Sequence, residues 1–243
     1  MISDDLRKLS DLVPKNSIIV LHVRLNGVYD STKSYSYQAQ QLLDEIRHNI
    51  SPREIYIPTF TYNFSKSKVF DVRETPSETG RFSEEIRIKY LFNKRRYLDP
   101  MFSVIETENQ IQDTNIITKA YGNESIWYYL DNKEHYILNI NLHEEIISTQ
   151  LHYLEFIHSV PYRYKKFFNG YLVDWDGKKK DIYYESYVRY LNKGYDLNRV
   201  KIANIAELEK SLFKIGLIRT FDWSILKRAL IKELSKDINY LIN

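Results

Sequence analysis

Ser17-Ile18-Ile19-Val20-Leu21-His22-Val23-Arg24-Leu25 carries four consecutive apolar residues, Ile18 to Leu21, and is closed by Asn26-Gly27. A short apolar run bounded by turn residues reads as a strand buried on both faces, as at the centre of a parallel sheet. On its amino-terminal side, Ser3 can cap a helix in which Leu6, Leu9 and Leu12 recur every three residues. On the other side, 34–49 reads as a helix with Ala39, Leu42, Leu43 and Ile46 on one face. Ser51-Pro52 breaks that helix, and 54–57 forms a second short strand. Strand, helix, strand predicts a mainly parallel sheet, in which ligands bind beyond the carboxyl ends of the strands. Two segments leave those ends: Leu21 to Leu25, and the long loop 58–80. A loop of that length is uncommon in a compact domain unless it serves a function.

Further along, 83–92 and 149–159 read as helices, and 102–106 and 135–141 as strands. Asn169-Gly170 and Asp176-Gly177 are two hairpin signals, predicting an antiparallel meander near 164–190 with Lys178-Lys179-Lys180 as a solvated tip. Two closing helices are expected, at 197–213 and 222–242. The fold class is therefore α/β: one domain over 1–243, with a mixed, mainly parallel sheet flanked by helices and a small antiparallel addition.

Composition narrows the function. The 243 residues are 43% hydrophobic, enough for a sizeable core, and no apolar run approaches the ~18 residues of a membrane span. The polar first residues are neither a secretory signal nor a transit peptide, so a cytoplasmic location is expected by default. The chain has no cysteine, which excludes disulfides, thiolate metal sites and a cysteine nucleophile. A net charge of +3 is too small to argue for nucleic acid, and no membrane partner is expected. There is no Gly-rich phosphate loop and no Gly-x-Ser-x-Gly elbow. No histidine spacing is convincing for a metal, and His48, His135, His143 and His158 are expected at the surface.

Four stretches, in order, resemble the aminoglycoside 3-N-acetyltransferase family. They are Ile19-Val20-Leu21-His22-Val23-Arg24-Leu25; Ile57-Pro58-Thr59-Phe60-Thr61; Thr75-Pro76-Ser77-Glu78-Thr79-Gly80, with Glu84, Arg87 and the run from Arg96 to Val104; and Thr149-Gln150-Leu151-His152-Tyr153-Leu154-Glu155, followed by Pro161-Tyr162-Arg163. Val23-Arg24 stand where the family has Ser-Ser, Asp99 where it has His, and Asn139 and Asn141 where it has glycines.

The resemblance implies an acyl-coenzyme A-dependent N-acyltransferase with no tightly bound cofactor, acyl-CoA serving as co-substrate. Such chemistry needs a base for the amine, stabilisation of the thioester oxyanion and close positioning. On spacing alone His152 reads as a structural histidine. The resemblance makes it the base, with Glu155 on the same helical face to orient it. Thr149 would cap that helix and leave free N–H groups for the oxyanion. His22, Arg24, Thr75, Ser77, Arg96 and Ser103 are the expected donor-binding residues, with Arg95 and Arg96 candidates for a phosphate.

The expected acceptor is an amino sugar, and a nucleotide-linked one in surface-polysaccharide (O-antigen) synthesis suits the slight basic excess. The alternatives are an aminoglycoside 3-N-acetyltransferase conferring antibiotic resistance and a non-catalytic ligand-binding relative. The sign of charge in the cleft beside His152 separates the two enzymes. The oligomeric state is left open, and an oligomer is allowed.

Overall fold

The structure is a computed structural model describing residues 2–29, 32–93, 96–109, 115–143 and 148–243. The first half contains α1 (Ile2–Leu9), β1 (Ile18–Val23), α2 (Tyr35–Ile50), β2 (Glu54–Pro58), α3 (Phe64–Ser67), β3 (Val69–Asp71), α4 (Arg81–Tyr90) and β4 (Val104–Glu106). Then come α5 (Ile126–Asp131), β5 (His135–Ile140), α6 (Gln150–Ile157), β6 (Arg163–Val173) and β7 (Lys179–Arg189). The chain closes with α7 (Arg199–Leu208), β8 (Leu212–Ile215), β9 (Ile218–Asp222) and α8 (Trp223–Leu234).

β1 lies inside a six-stranded sheet of order β4-β2-β1-β5-β9-β8. It pairs in parallel with β2, Ile18 opposite Glu54, and with β5, Ile18 opposite His135. β4 runs antiparallel to β2, and β9 antiparallel to β5. The sheet is thus mixed, with a parallel centre. Alternate residues of β1 enter separate cores, as a period of two requires. Ile19, Leu21 and Val23 pack with Leu6 and Leu9 of α1, Leu42 and Leu43 of α2, and Phe82 and Ile86 of α4. Ile18 and Val20 pack on the other face with Tyr56, Phe60, Val104 and Trp127. A third core joins Leu151 and Leu154 of α6 to Ile202, Trp223, Leu226 and Leu230.

The helix expected at 34–49 forms one residue later. Ser34 caps it, its Oγ accepting from the Tyr37 N–H at 3.2 Å, and it ends at Ser51, which is left-handed at φ 51°. The loop 58–80 is not structureless, since it contains α3 and β3.

Three expectations about the elements are corrected. Asn169-Gly170 is no hairpin: β6 runs through it and pairs along its full length with β7, Asn169 opposite Tyr183, and the single turn lies around Asp176-Gly177. Gly170 is there because β3 approaches closely. A Cβ on it would lie 2.5 Å from the Lys68 carbonyl oxygen and 2.8 Å from the Phe64 ring. The other corrections concern the closing helices: 197–213 is helical only to Leu208, and 222–242 only to Leu234. The segments Leu212–Ile215 and Ile218–Asp222 form a hairpin that extends the main sheet. Its two-residue connection begins with Gly216 at φ +53°, where a hairpin turn takes glycine.

His135, expected at the surface, is buried at 1% exposure. Its Nδ1 lies 3.0 Å from the Lys133 carbonyl oxygen and its Nε2 3.3 Å from Gln150 Nε2. These partners fit the neutral ring, Nδ1–H donating and Nε2 accepting. Burial depresses its pKa to about 4.

Gly170→Ala should lower stability by about 1–3 kcal/mol, roughly 3–10 °C in melting temperature. Asn169→Ala, exposed on the same strand, should leave the melt unchanged. Acid should also destabilise the fold through His135. The unfolded chain binds this proton near pH 6.5 and the fold only near pH 4, so stability is full above about 6.5 and falls as pH drops toward 4, by up to about 3 kcal/mol. His135→Gln should flatten that acid limb in denaturant melts taken across this range. An identical limb in the variant would assign the acid loss to other groups.

Candidate active site

The parallel strands β1 and β2 end on the same rim, and α6 crosses beside it. Two clefts open there. The strand-end cleft, about 540 Å³, is lined by His22 and Val23 at the end of β1, Pro58 at the end of β2, Thr79-Gly80 at the start of α4, and Ser148 and Thr149 before α6. The aromatic cleft, about 730 Å³, is walled by Phe102, Tyr121, Tyr162, Phe168 and Tyr187 among others. The two share Tyr62, His152, Leu197 and Arg199. His152 therefore stands where two cavities of ligand size meet.

Glu155, one turn along α6 from His152, is fully buried. Its Oε2 lies 2.7 Å from His152 Nδ1 and 2.7 Å from Arg163 Nε at the start of β6. Arg163 Nη2 is 2.8 Å from the same imidazole nitrogen. Nδ1 cannot both donate to the carboxylate and accept from the guanidinium. With the arginine already paired to Glu155, Nδ1–H donates to the carboxylate and Nε2 keeps the free lone pair. Burial is the largest influence on His152 and lowers its pKa, the Glu155 charge raises it, and Arg163 and Arg199 lower it; the net direction is down. The ring is thus neutral near pH 7, with its side chain 29% exposed, as a base requires.

Thr149 lines the strand-end cleft but does not cap α6. It has helical dihedrals (φ −69°, ψ −18°) and makes no side-chain cap bond. The N–H groups of Leu151 and His152 donate to the carbonyls of Ser148 and Thr149, so the expected supply of free donors is not found at these two positions. His22 faces the strand-end cleft and sits 3.1 Å through Nε2 from Ser148 Oγ, with its pKa lowered to about 4 by burial. Arg24 is exposed just past β1 and does not line that cleft.

The expected phosphate contact at Arg96 is corrected. Arg96 is 2% exposed. Its guanidinium donates to the carbonyls of Val72 (3.2 Å), Thr75 (2.6 Å) and Thr59 (2.9 Å) and to Ser103 Oγ (3.1 Å). Four of its five N–H donors are used within the fold, and burial keeps the group from a ligand. Ser103, fully buried, donates in turn to the Tyr97 carbonyl. Thr75 and Ser77 are also fasteners: Thr75 Oγ1 accepts from the Asp71 N–H, and Ser77 bonds Thr79 and Glu84. Within that loop it is Glu78, Thr79 and Gly80 that reach the cleft. Arg95 lies outside the described residues. Sequence reasoning missed Arg163, Arg199 and Tyr62. Arg163 stood in the Pro-Tyr-Arg run, but nothing local told that it reaches back to Glu155.

The balance at His152 is testable by NMR titration of its imidazole. Glu155→Gln removes the raising influence, so the His152 titration should move to lower pH. Arg163→Met removes a lowering one and should move it to higher pH. Shifts in the reverse order would refute the charge assignment.

Neither a family model nor a curated protein matches the chain. Solved structures do. YokD from Bacillus subtilis superposes with a TM-score of 0.71 at 15% identity, over 97% of this chain and 99% of that one. AAC-VIa with bound sisomicin gives 0.75 at 18% identity, over 96% and 97%. The aminoglycoside acetyltransferase AAC(3)-Xa gives 0.72 at 14%, over 96% and 92%. The fold thus recurs over almost the whole length of these proteins, and the chain shares it with the aminoglycoside acetyltransferases AAC-VIa and AAC(3)-Xa.

Proposed function

We propose that this protein is an N-acyltransferase that moves an acyl group from an acyl-coenzyme A to an amino group of a sugar. The observation that carries the reading is the neutral histidine, backed by a buried carboxylate, at the meeting point of two clefts. A transferase needs two reactants held apart until they meet at a base, and His152 occupies that position. The fold supports it, since AAC(3)-Xa is an aminoglycoside acetyltransferase.

The strand-end cleft takes the donor, its thioester reaching the junction, and the aromatic cleft takes the acceptor. The amine nitrogen attacks the thioester carbonyl carbon while His152 Nε2 takes the amine proton. The tetrahedral oxyanion collapses, the carbon–sulfur bond breaks, and the proton held on His152 goes to the departing thiolate. Glu155 holds the imidazole through Nδ1 and stabilises its transient positive charge.

For the acceptor, a nucleotide-linked amino sugar of surface-polysaccharide synthesis agrees with the charge of the aromatic cleft. Five cations (Lys66, Arg163, Lys166, Arg189 and Arg199) line it against two carboxylates, Glu155 and Asp196. A second reading, an aminoglycoside antibiotic as acceptor, is favoured by the neighbours that hold sisomicin and gentamicin.

Free thiol released from acetyl-CoA and longer acyl-CoAs, assayed against free amino sugars, nucleotide-linked amino sugars and aminoglycosides, tests the function. Amino-sugar-dependent release is expected, and His152→Ala should lower its turnover by ~10²–10⁴-fold in a protein that melts normally. Release that never depends on an amino sugar, or survives the loss of His152, would remove the assignment.

A further inference from the structure

The corner between α3 and β6 gathers positive charge that the fold does not use. Lys66 on α3 and Lys166 on β6 both line the aromatic cleft and make no ion pair among the described residues. Lys166 Nζ lies 5.3 Å from the centre of the Phe168 ring, and Lys68 Nζ 5.1 Å from the same ring. Two ammonium groups thus stand over one ring, with a third lysine, Lys66, two residues from Lys68 in the chain. Nearby acids are engaged elsewhere: Glu185 pairs with Lys165 at 3.2 Å, and Glu78 accepts from the Asn63 N–H at 2.7 Å. The two carboxylates of the cleft itself are likewise consumed, Glu155 by Arg163 and His152, and Asp196 by Arg189. Arg199, at the junction, has no ion pair among the described residues either.

A cleft whose described lining holds more cations than carboxylates, with each of those carboxylates paired to an arginine, concentrates anions and repels polycations. Amino-sugar antibiotics carry several ammonium groups and, among the described residues lining the cleft, would meet only carboxylates already paired with arginine, Glu155 and Asp196. A phosphate ester would meet lysines in this lining, and its aromatic residues suit a sugar ring or a nucleobase.

Resting on the N-acyltransferase reading above, we propose that Lys66 and Lys166 form a seat for the phosphate of a phosphorylated amino-sugar acceptor, and that this seat sets the enzyme's specificity against polycationic acceptors. The phosphate can come from a nucleoside diphosphate-linked sugar or from a simple sugar phosphate, and binding probes separate these.

The experiment is calorimetric titration of the protein with uridine 5′-diphosphate, inorganic pyrophosphate and sisomicin, each with and without saturating coenzyme A. Binding of at least one of the two phosphate probes alongside coenzyme A is expected, weakening as salt rises. UDP binding tighter than pyrophosphate identifies the nucleotide-linked source, and equal binding identifies the simple phosphate. The double variant Lys66→Glu, Lys166→Glu should weaken the phosphate probe about 10–100-fold. It should keep the parent's coenzyme A affinity, because neither lysine lines the strand-end cleft, and a folded melt at or above the parent's temperature checks that the fold is intact. The same variant should bind sisomicin more tightly than the parent does. Phosphate binding that the double variant leaves intact, or that coenzyme A abolishes, would overturn the proposal, as would a parent that prefers sisomicin to both phosphate probes. These measurements need no turnover. A transferase with the wrong acceptor class would fail here yet release thiol, and a protein that transfers nothing would fail the thiol assay whatever it binds.

Discussion

The structure depends on the burial of β1 from both sides. Its side chains supply two cores at once, with Ile19, Leu21 and Val23 in one and Ile18 and Val20 in the other. A strand so placed has no solvent face on which to tolerate a polar residue until it nears the end of its pairing in the sheet. The first polar side chain after its apolar run, His22, therefore appears at the carboxyl end, where the strand-end cleft begins. β2 and β5 pair with β1 in the same direction, and β2 delivers the 58–80 loop to the same rim. Packing thus determines where functional groups can stand, while the loops determine which groups they are.

What could be read from residues alone follows the same division. Strands and helices with strong periodicity, β1, α2, β2 and β5, were legible because their apolar pattern is the cause of their burial. Asn169-Gly170 was misread because the local turn signal is outweighed by a distant neighbour, the Lys68 carbonyl, which demands a residue without a Cβ. The β8–β9 hairpin was hidden for a similar reason. Leu212 to Phe221 carries apolar residues compatible with either period, and only the open antiparallel edge of β5 selects the strand. His135 carries no local sign of burial, since its partners Lys133 and Gln150 reach it through a turn and from another helix.

Two arginines show how the site was partly legible. Arg96 and Arg163 are alike in sequence terms, each a cation beside aromatic residues. Arg96 spends its donors on carbonyls of the 58–80 loop and on Ser103, so it shapes the cleft from behind by holding that loop down. Burial lowers its pKa to about 9, still high enough to keep it charged at neutral pH. Arg163 instead carries its charge to the candidate base. The helical spacing of His152 and Glu155 was readable because three residues along a helix is a local fact. The arginine was not, because β6 reaches α6 only through tertiary packing.

That third group decides what the pair can do. A carboxylate as buried as Glu155 is costly unless an opposite charge is in contact with it. If the imidazole alone supplied that charge, the histidine would be held as an imidazolium, and a protonated ring accepts no proton from an amine. Arg163 neutralises Glu155 permanently, since a guanidinium keeps its proton at any physiological pH. It also adds positive charge beside the ring, which with burial brings the His152 pKa down. The carboxylate remains free to orient Nδ1–H and to stabilise the ring when it becomes charged, but it no longer requires the ring to be charged beforehand. In the mechanism proposed above, the ion pair between strand and helix is thereby what would let a buried Glu–His pair act as a base rather than as a stored salt bridge.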